Sequence, residues 1–349
     1  MPALFDPLTV GELTLPNRIL MAPLTRSRAG ASRVPNELMA QYYRQRASAG
    51  LIVSEATSVT PMGVGYAGTP GIWSEAQVAG WKLTTQAVHA AGGRIFLQLW
   101  HVGRISHPSF LDGRQPVAPS AIAPQGNVSL LRPETPFTVP RALALEEIPG
   151  VIEDYRRGAR NAQAAGFDGV EIHGANGYLL DQFLQDRANH RRDAYGGSIA
   201  NRARLMLEVT DAVISVWGAS RVGMHLAPRG DSNSMGDSDP AAVFGHVARE
   251  LGRRQLAFLC AREHTGAGCL APALKAAFGG VFIANERFTF ESAAQAVAAG
   301  AADAVAFGKL FIANPDLPRR MQLGAAFNEP DASGFYAGGA KGYTDYPSL

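Results

Sequence analysis

Lysine is scarce in this chain. Of 32 basic residues only Lys82, Lys275, Lys309 and Lys341 are lysine, so chemistry needing a reactive amine has few candidates. A Schiff-base aldolase would have Lys309 alone at a strand end, with no supporting acid beside it. Cysteine is nearly absent. Cys260 and Cys269 flank Glu263 and His264, but the spacing fits no standard zinc pattern, which leaves two buried or loop thiols in a reducing compartment. No uncharged apolar run reaches the roughly 20 residues of a membrane span. The start, Met1-Pro2-Ala3-Leu4-Phe5-Asp6, has neither a basic segment nor an apolar core, so no export signal is expected. A net charge of +2 without a long Lys/Arg run argues against nucleic acid. No G-x-x-x-x-G-K-[ST] occurs, which argues against a P-loop. These absences point to a cytoplasmic enzyme or binding protein acting on small molecules.

What is present is a repeating unit: a short apolar strand, a polar or Gly-containing loop, then a helix-length amphipathic segment. Strands are expected at Ile19–Pro23, Leu51–Glu55, Arg94–Leu99, Gly169–His173, Arg221–Leu226, Ala257–Ala261, Gly280–Ala284 and Ala304–Phe307. Helices are expected near 36–48, 75–91, 146–165, 199–217, 240–253, 270–277, 290–299 and 314–326. Strands that are nearly continuous apolar and alternate with helices imply parallel βαβ units. Eight of them favour an α/β fold of the closed (β/α)8 TIM-barrel type, with residues 1–349 as one domain. Residues 4–16 suggest a β-hairpin ahead of it, and the Pro-rich stretch Gly103–Leu143 reads as a long excursion over the barrel mouth after strand 3.

A barrel carries its chemistry on the loops after the strands. The stretch Phe167–Leu180 stands out there, because His173, Asn176 and Tyr178 fall where a strand hands over to a helix. Two hydrogen-bond donors and a phenol suit an oxygen that gathers negative charge, whereas the plain alternative is a polar loop with a helix-starting Asn. Asn285 and Lys309 follow the seventh and eighth strands, where many barrels bind phosphate. Gly63-Val64-Gly65-Tyr66-Ala67-Gly68 matches G-x-G-x-x-G, but Thr69-Pro70-Gly71 follows instead of a helix, so it is set aside as a dinucleotide site.

Several motifs in order carry a resemblance. Leu4-Phe5-Asp6-Pro7-Leu8, Asn17 through Arg26, Tyr42-Tyr43-Arg44-Gln45-Arg46-Ala47 and Gln98 through Arg104 are followed by Asp193 through Ser198, Asn201-Arg202 and the tail Gly342 to Leu349. On these the chain resembles the old yellow enzyme family of FMN-dependent ene-reductases, nearest to bacterial reductases of N-ethylmaleimide and nitrate esters. The resemblance implies bound FMN and NADPH or NADH as reductant. It places Pro23, Leu24, Thr25 and Ala56 along the flavin, Gln98 at its pyrimidine end, and Ala284, Asn285, Gly308 and Lys309 at its phosphate. It implies that His173 and Asn176 hold the activating oxygen of an alkene, that Tyr178 donates the proton, and that Tyr66, Trp100 and Tyr336 wall the substrate pocket. The implied reaction is hydride transfer from flavin N5 to the β-carbon of an enone, maleimide or nitroalkene.

Two departures from the family pattern matter. The fifth strand reads Gly223-Met224-His225-Leu226-Ala227-Pro228, with His225 where an arginine commonly faces the flavin; a histidine supplies charge only when protonated, unless Arg229 or another neighbour substitutes. Phe307-Gly308-Lys309 stands where Phe-Gly-Arg is usual, which keeps the charge but loses the bidentate fork. The alternatives are a nitrate ester or nitroaromatic reductase using the same site, a phosphate-binding barrel lyase or isomerase, and an idle flavin-binding protein.

Overall fold

The computed structural model describes residues 3–336 and 338–349. The chain opens with a hairpin, β1 (Leu8–Val10) and β2 (Leu13–Leu15), paired antiparallel. In chain order the further strands are β3 (Ile19–Met21), β4 (Ile52–Val53), β5 (Thr57–Ser58), β6 (Ile95–Trp100), β7 (Val117–Ala118), β8 (Arg141–Ala142), β9 (Gly169–His173), β10 (Val222–Leu226), β11 (Phe258–Arg262), β12 (Phe282–Asn285) and β13 (Ala304–Phe307). Eight of these, β3, β4, β6 and β9 to β13, pair in parallel and close through β4 on β6. The expected (β/α)8 barrel is therefore the observed one, with every strand within two or three residues of its expected bounds.

The helices are α1 (Glu37–Gln45), α2 (Glu75–Ala90), α3 (Ile148–Ala164), α4 (Leu179–Leu184), α5 (Ile199–Trp217), α6 (Pro240–Arg253), α7 (Ala271–Phe278), α8 (Phe290–Ala298), α9 (Lys309–Ala313) and α10 (Leu317–Leu323). Local chemistry sets their starts. Asn36, Ser74, Ser198, Asp239 and Thr289 each accept a hydrogen bond from a first-turn N–H, and Pro240 occupies the first position of α6, where its missing N–H costs nothing. The helix expected at 314–326 is observed as α10, and the short α9 before it was not expected. Asn314-Pro315 separates the two, because proline disfavours helical backbone in the residue before it.

Residues alternate across each barrel strand. Ile95, Leu97 and Leu99 of β6, Val170 and Ile172 of β9, and Val222, Met224 and Leu226 of β10 join the core shared with the helices. The intervening positions face the barrel axis. The lower interior is filled by Phe96 and Phe258, whose ring centroids lie 5.9 Å apart. Both rings need small counterparts: a Cβ added at Gly169 would sit 2.3 Å from Phe96, and one at Gly223 2.2 Å from Phe258. The hairpin plugs this end, with Val10 and Leu15 packed in the same cluster as Phe96 and Phe258. The opposite end of the barrel holds the cavity that gathers the strand-end residues.

The excursion behaves as expected. Arg104 Nη1 and Nη2 hold the carbonyls of Ile122 and Asn233 at 3.1 and 3.2 Å, and β7 pairs with β8 to return the chain. Residues 127–134 between them reach the barrel mouth and line a cavity of about 540 Å³ with Thr25, Tyr66, Tyr178 and Tyr336.

Candidate active site

At the C-terminal ends of the strands lies a cavity of about 570 Å³, the size of a cofactor or drug-sized ligand site. Of the residues singled out in the sequence, it brings together Pro23, Leu24, Thr25, Ala56, Gln98, Trp100, His173, Asn176, Tyr178, His225, Asn285, Gly308, Lys309 and Tyr336. Tyr66 lines the adjoining cavity instead, reaching the first through Tyr178. The Ala284 side chain is on the outward parity of β12 and packs in the helix-facing core, while its neighbour Asn285 faces the mouth.

His173 ends β9, and its Nδ1 accepts from the Ala175 N–H at 3.3 Å. The proton is then on Nε2. Burial, with charge on His225 and Arg262 adding to it, holds His173 well below the ordinary imidazole range. It is a neutral donor at physiological pH. Asn176 follows at φ +58°, in the left-handed region that asparagine tolerates better than most residues, and the turn carries its carboxamide to the same rim. Tyr178 packs edge-on to Trp100 and His173, with ring centroids 4.9 and 5.0 Å away. Its hydroxyl shares a hydrogen bond of 2.9 Å with Tyr66, whose ring stacks on Trp100 at 5.5 Å. Burial pushes the Tyr178 phenol up to about 12, so it holds its proton at neutral pH.

On the other wall, Gln98 donates to Glu171 at 2.7 Å, and His225 Nδ1 is 3.4 Å from the same carboxylate oxygen. Glu171 was not singled out in the sequence, although its inward parity beside His173 marks it. Arg229 does not substitute for the missing arginine: it bonds Glu263 and the carbonyls of His264 and Ala267. Arg262, which sequence reasoning missed by ending the sixth strand at Ala261, lines the cavity. Glu286 and Arg287, also missed, follow β12 at φ +101° and +59°.

The residues fit FMN. Small side chains, Ala22, Ala56, Ala306 and Gly308, line a cavity wall that a planar ring can lie against. Two buried ring nitrogens of its lining, His225 Nε2 and Trp100 Nε1, have no partner among the described residues. Buried polar groups rarely go unpaired, so a polar ligand is the expected partner. Lys309 and Arg287 line the same cavity and bring positive charge that suits a phosphate.

Comparison with known proteins gives one answer. Residues 3–328 match the family model for the NADH:flavin oxidoreductase / NADH oxidase family. A probable flavin mononucleotide-dependent alkene reductase of Leishmania infantum is 45% identical over 358 residues, covering 99% of this chain and 97% of that protein. Morphinone reductase, solved in complex with tetrahydroNAD, superimposes with a TM-score of 0.96 at 52% identity, over 100% of this chain and 98% of that one. An old yellow enzyme homologue from Zymomonas mobilis gives 0.97 at 48% identity, with both chains covered in full. The chain belongs to the NADH:flavin oxidoreductase / NADH oxidase family, the old yellow enzymes, and is an FMN-dependent oxidoreductase with that family's NAD(P)H-dependent ene-reductase activity.

Proposed function

We propose that this enzyme reduces the C=C bond of enones, maleimides and nitroalkenes, with His173 and Asn176 gripping the electron-withdrawing oxygen and Tyr178 supplying the proton. The chemistry that FMN supplies when bound is hydride transfer, from NAD(P)H in one half-reaction and to the β-carbon of the alkene in the other. Pro23, Leu24, Thr25 and Ala56 would lie along FMN, Gln98 and His225 would hydrogen-bond its polar groups, and Asn285, Gly308, Lys309 and the start of the loop after β12 would hold its phosphate. His173 Nε2–H and the Asn176 carboxamide stabilise the negative charge that gathers on the oxygen, as oxyanion-hole donors do. Tyr178 holds its proton at Oη and delivers it to the α-carbon. Tyr66, hydrogen-bonded to that hydroxyl, keeps it aimed and shields it from water. Trp100 and Tyr336 wall the substrate space. The same grip would hold a nitro group, so nitrate esters and nitroaromatics are proposed as secondary substrates.

One observation carries the reading: a neutral histidine donor, a carboxamide and a protonated phenol share one cavity rim with an unpartnered buried imidazole nitrogen. Purified protein should be yellow, bleach with NADPH and recover colour with cyclohexenone. Tyr178→Phe should leave bleaching by NADPH intact and slow reoxidation by cyclohexenone about 100-fold or more, the usual worth of a positioned acid. If both half-reactions keep wild-type rates in stopped-flow, Tyr178 is not the acid.

A further inference from the structure

Arg262 ends β11, and its guanidinium reaches across the mouth. Nη1 donates to Asn176 Oδ1 at 2.9 Å, while Nε is held by Glu286 Oε2 from the turn after β12. The Asn176 main chain is pinned as well, its carbonyl accepting from Asn233 Nδ2 at 2.8 Å. A carboxamide can rotate to exchange its oxygen for its NH₂, but a guanidinium has only donors. Facing Arg262, Asn176 must present Oδ1. Its NH₂, which has no partner among the described residues, is left for a ligand in the cavity that both residues line.

Resting on the function proposed above, we propose that Arg262, braced by Glu286, is a positioning residue for the acceptor's oxygen: it locks Asn176 as a donor and sets a permanent positive charge two hydrogen bonds from that oxygen, through the carboxamide. The arrangement acts through Asn176 and not by touching substrate. It also adds to the burial that keeps His173 neutral. The effect grows as charge develops on the oxygen, so it belongs more to kcat than to KM.

The test uses the FMN-loaded enzyme and 4-hydroxybenzaldehyde, whose phenolate oxygen imitates the charged acceptor, titrated across pH by flavin absorbance. Arg262→Met should weaken phenolate binding about tenfold or more, the worth of a charge-assisted hydrogen bond, and raise the pH at which the bound phenol ionises. Cyclohexenone kcat should fall by a similar factor with KM little changed. Arg262→Lys, which keeps charge and loses the fork, should recover part of the loss, and Glu286→Gln should show a smaller one. If Arg262→Met is yellow and matches wild type in phenolate affinity, phenol ionisation and kcat, the proposal is overturned and Arg262 is only a rim ion pair. Asn176→Ala separates the two readings: unchanged phenolate binding there defeats the oxygen grip itself, while a loss there with none at Arg262→Met defeats only this inference. Should Arg262→Met fail to take up FMN, the order wild type, Glu286→Gln, Arg262→Lys in phenolate affinity supports the proposal, and equality among them overturns it.

Discussion

His225 shows how one residue redistributes a site's charge. It sits inward on β10, buried, with the Glu171 carboxylate behind Nδ1 and Nε2 left for a ligand. An arginine in its place would carry fixed charge, whereas an imidazole carries charge only when protonated. His225→Ala is expected to lower the midpoint potential of bound FMN by about 30 mV, equivalent to ~1.4 kcal/mol in a two-electron couple. A redox titration that finds the potential unmoved would remove His225 from the ring's edge.

At the level of elements, the motifs that announced the family mostly brace the site from outside it. Arg26 is buried and donates to Tyr42 Oη at 2.9 Å, Phe335 O at 2.9 Å and Gly342 O at 2.7 Å, while Arg28 holds Gly334 O at 2.8 Å. Tyr343 stacks on Tyr42 at 4.0 Å, and Arg46 binds the carbonyls of Phe311 and Ile312 at 2.8 Å. The loop carrying Pro23, Leu24 and Thr25 is thus tied to α1, α9 and the C-terminal segment that bears Tyr336. Arg26→Met would leave the buried carbonyl of Gly342 without a donor, at about 1–3 kcal/mol before relaxation, and would leave Phe335 O to Arg28 alone. We expect a loss of at least ~2 kcal/mol in urea unfolding, with early proteolysis in 334–349; unchanged values would show that the tail is held by packing alone.

Across the whole molecule, stability carries a pH signature from two buried acids. Burial, partly offset by N–H donors from Arg26 and Ser27, raises the Glu55 carboxyl from 4.5 to about 7. Burial, partly offset by Gln185 and the Gly177 N–H, raises Asp181 from 3.8 to about 7. Because both folded values lie above the unfolded ones, their contribution to stability is fully present below about pH 4 and is lost as pH rises to about 7. Each pH unit in that window costs about 1.4 kcal/mol per group. Urea midpoints measured from pH 4.5 to 7.5 should therefore show wild type losing stability relative to Glu55→Gln as pH rises; a constant difference would mean that Glu55 is ionised throughout. Among the described residues no helix is long and apolar enough to cross a membrane.

The eight βα units, the leading hairpin and the stretch holding His173, Asn176 and Tyr178 were legible in the linear chain, because apolar periodicity and turn residues act over a few positions. The flavin-type reading likewise came from ordered motifs. What only the tertiary structure decided is which side chains of a strand look inward. Parity depends on where each strand begins against its neighbours, and the pairing of Arg262 with Asn285 across β11 and β12 puts both at the mouth while Ala284 turns to the helices. The same holds for the Glu171–His225 contact, for the engagement of Arg229 with Glu263, and for the joining of the first motif to the last through Arg26. These contacts link residues tens to hundreds of positions apart, and closure of the barrel, not any local preference, brings them within hydrogen-bond reach.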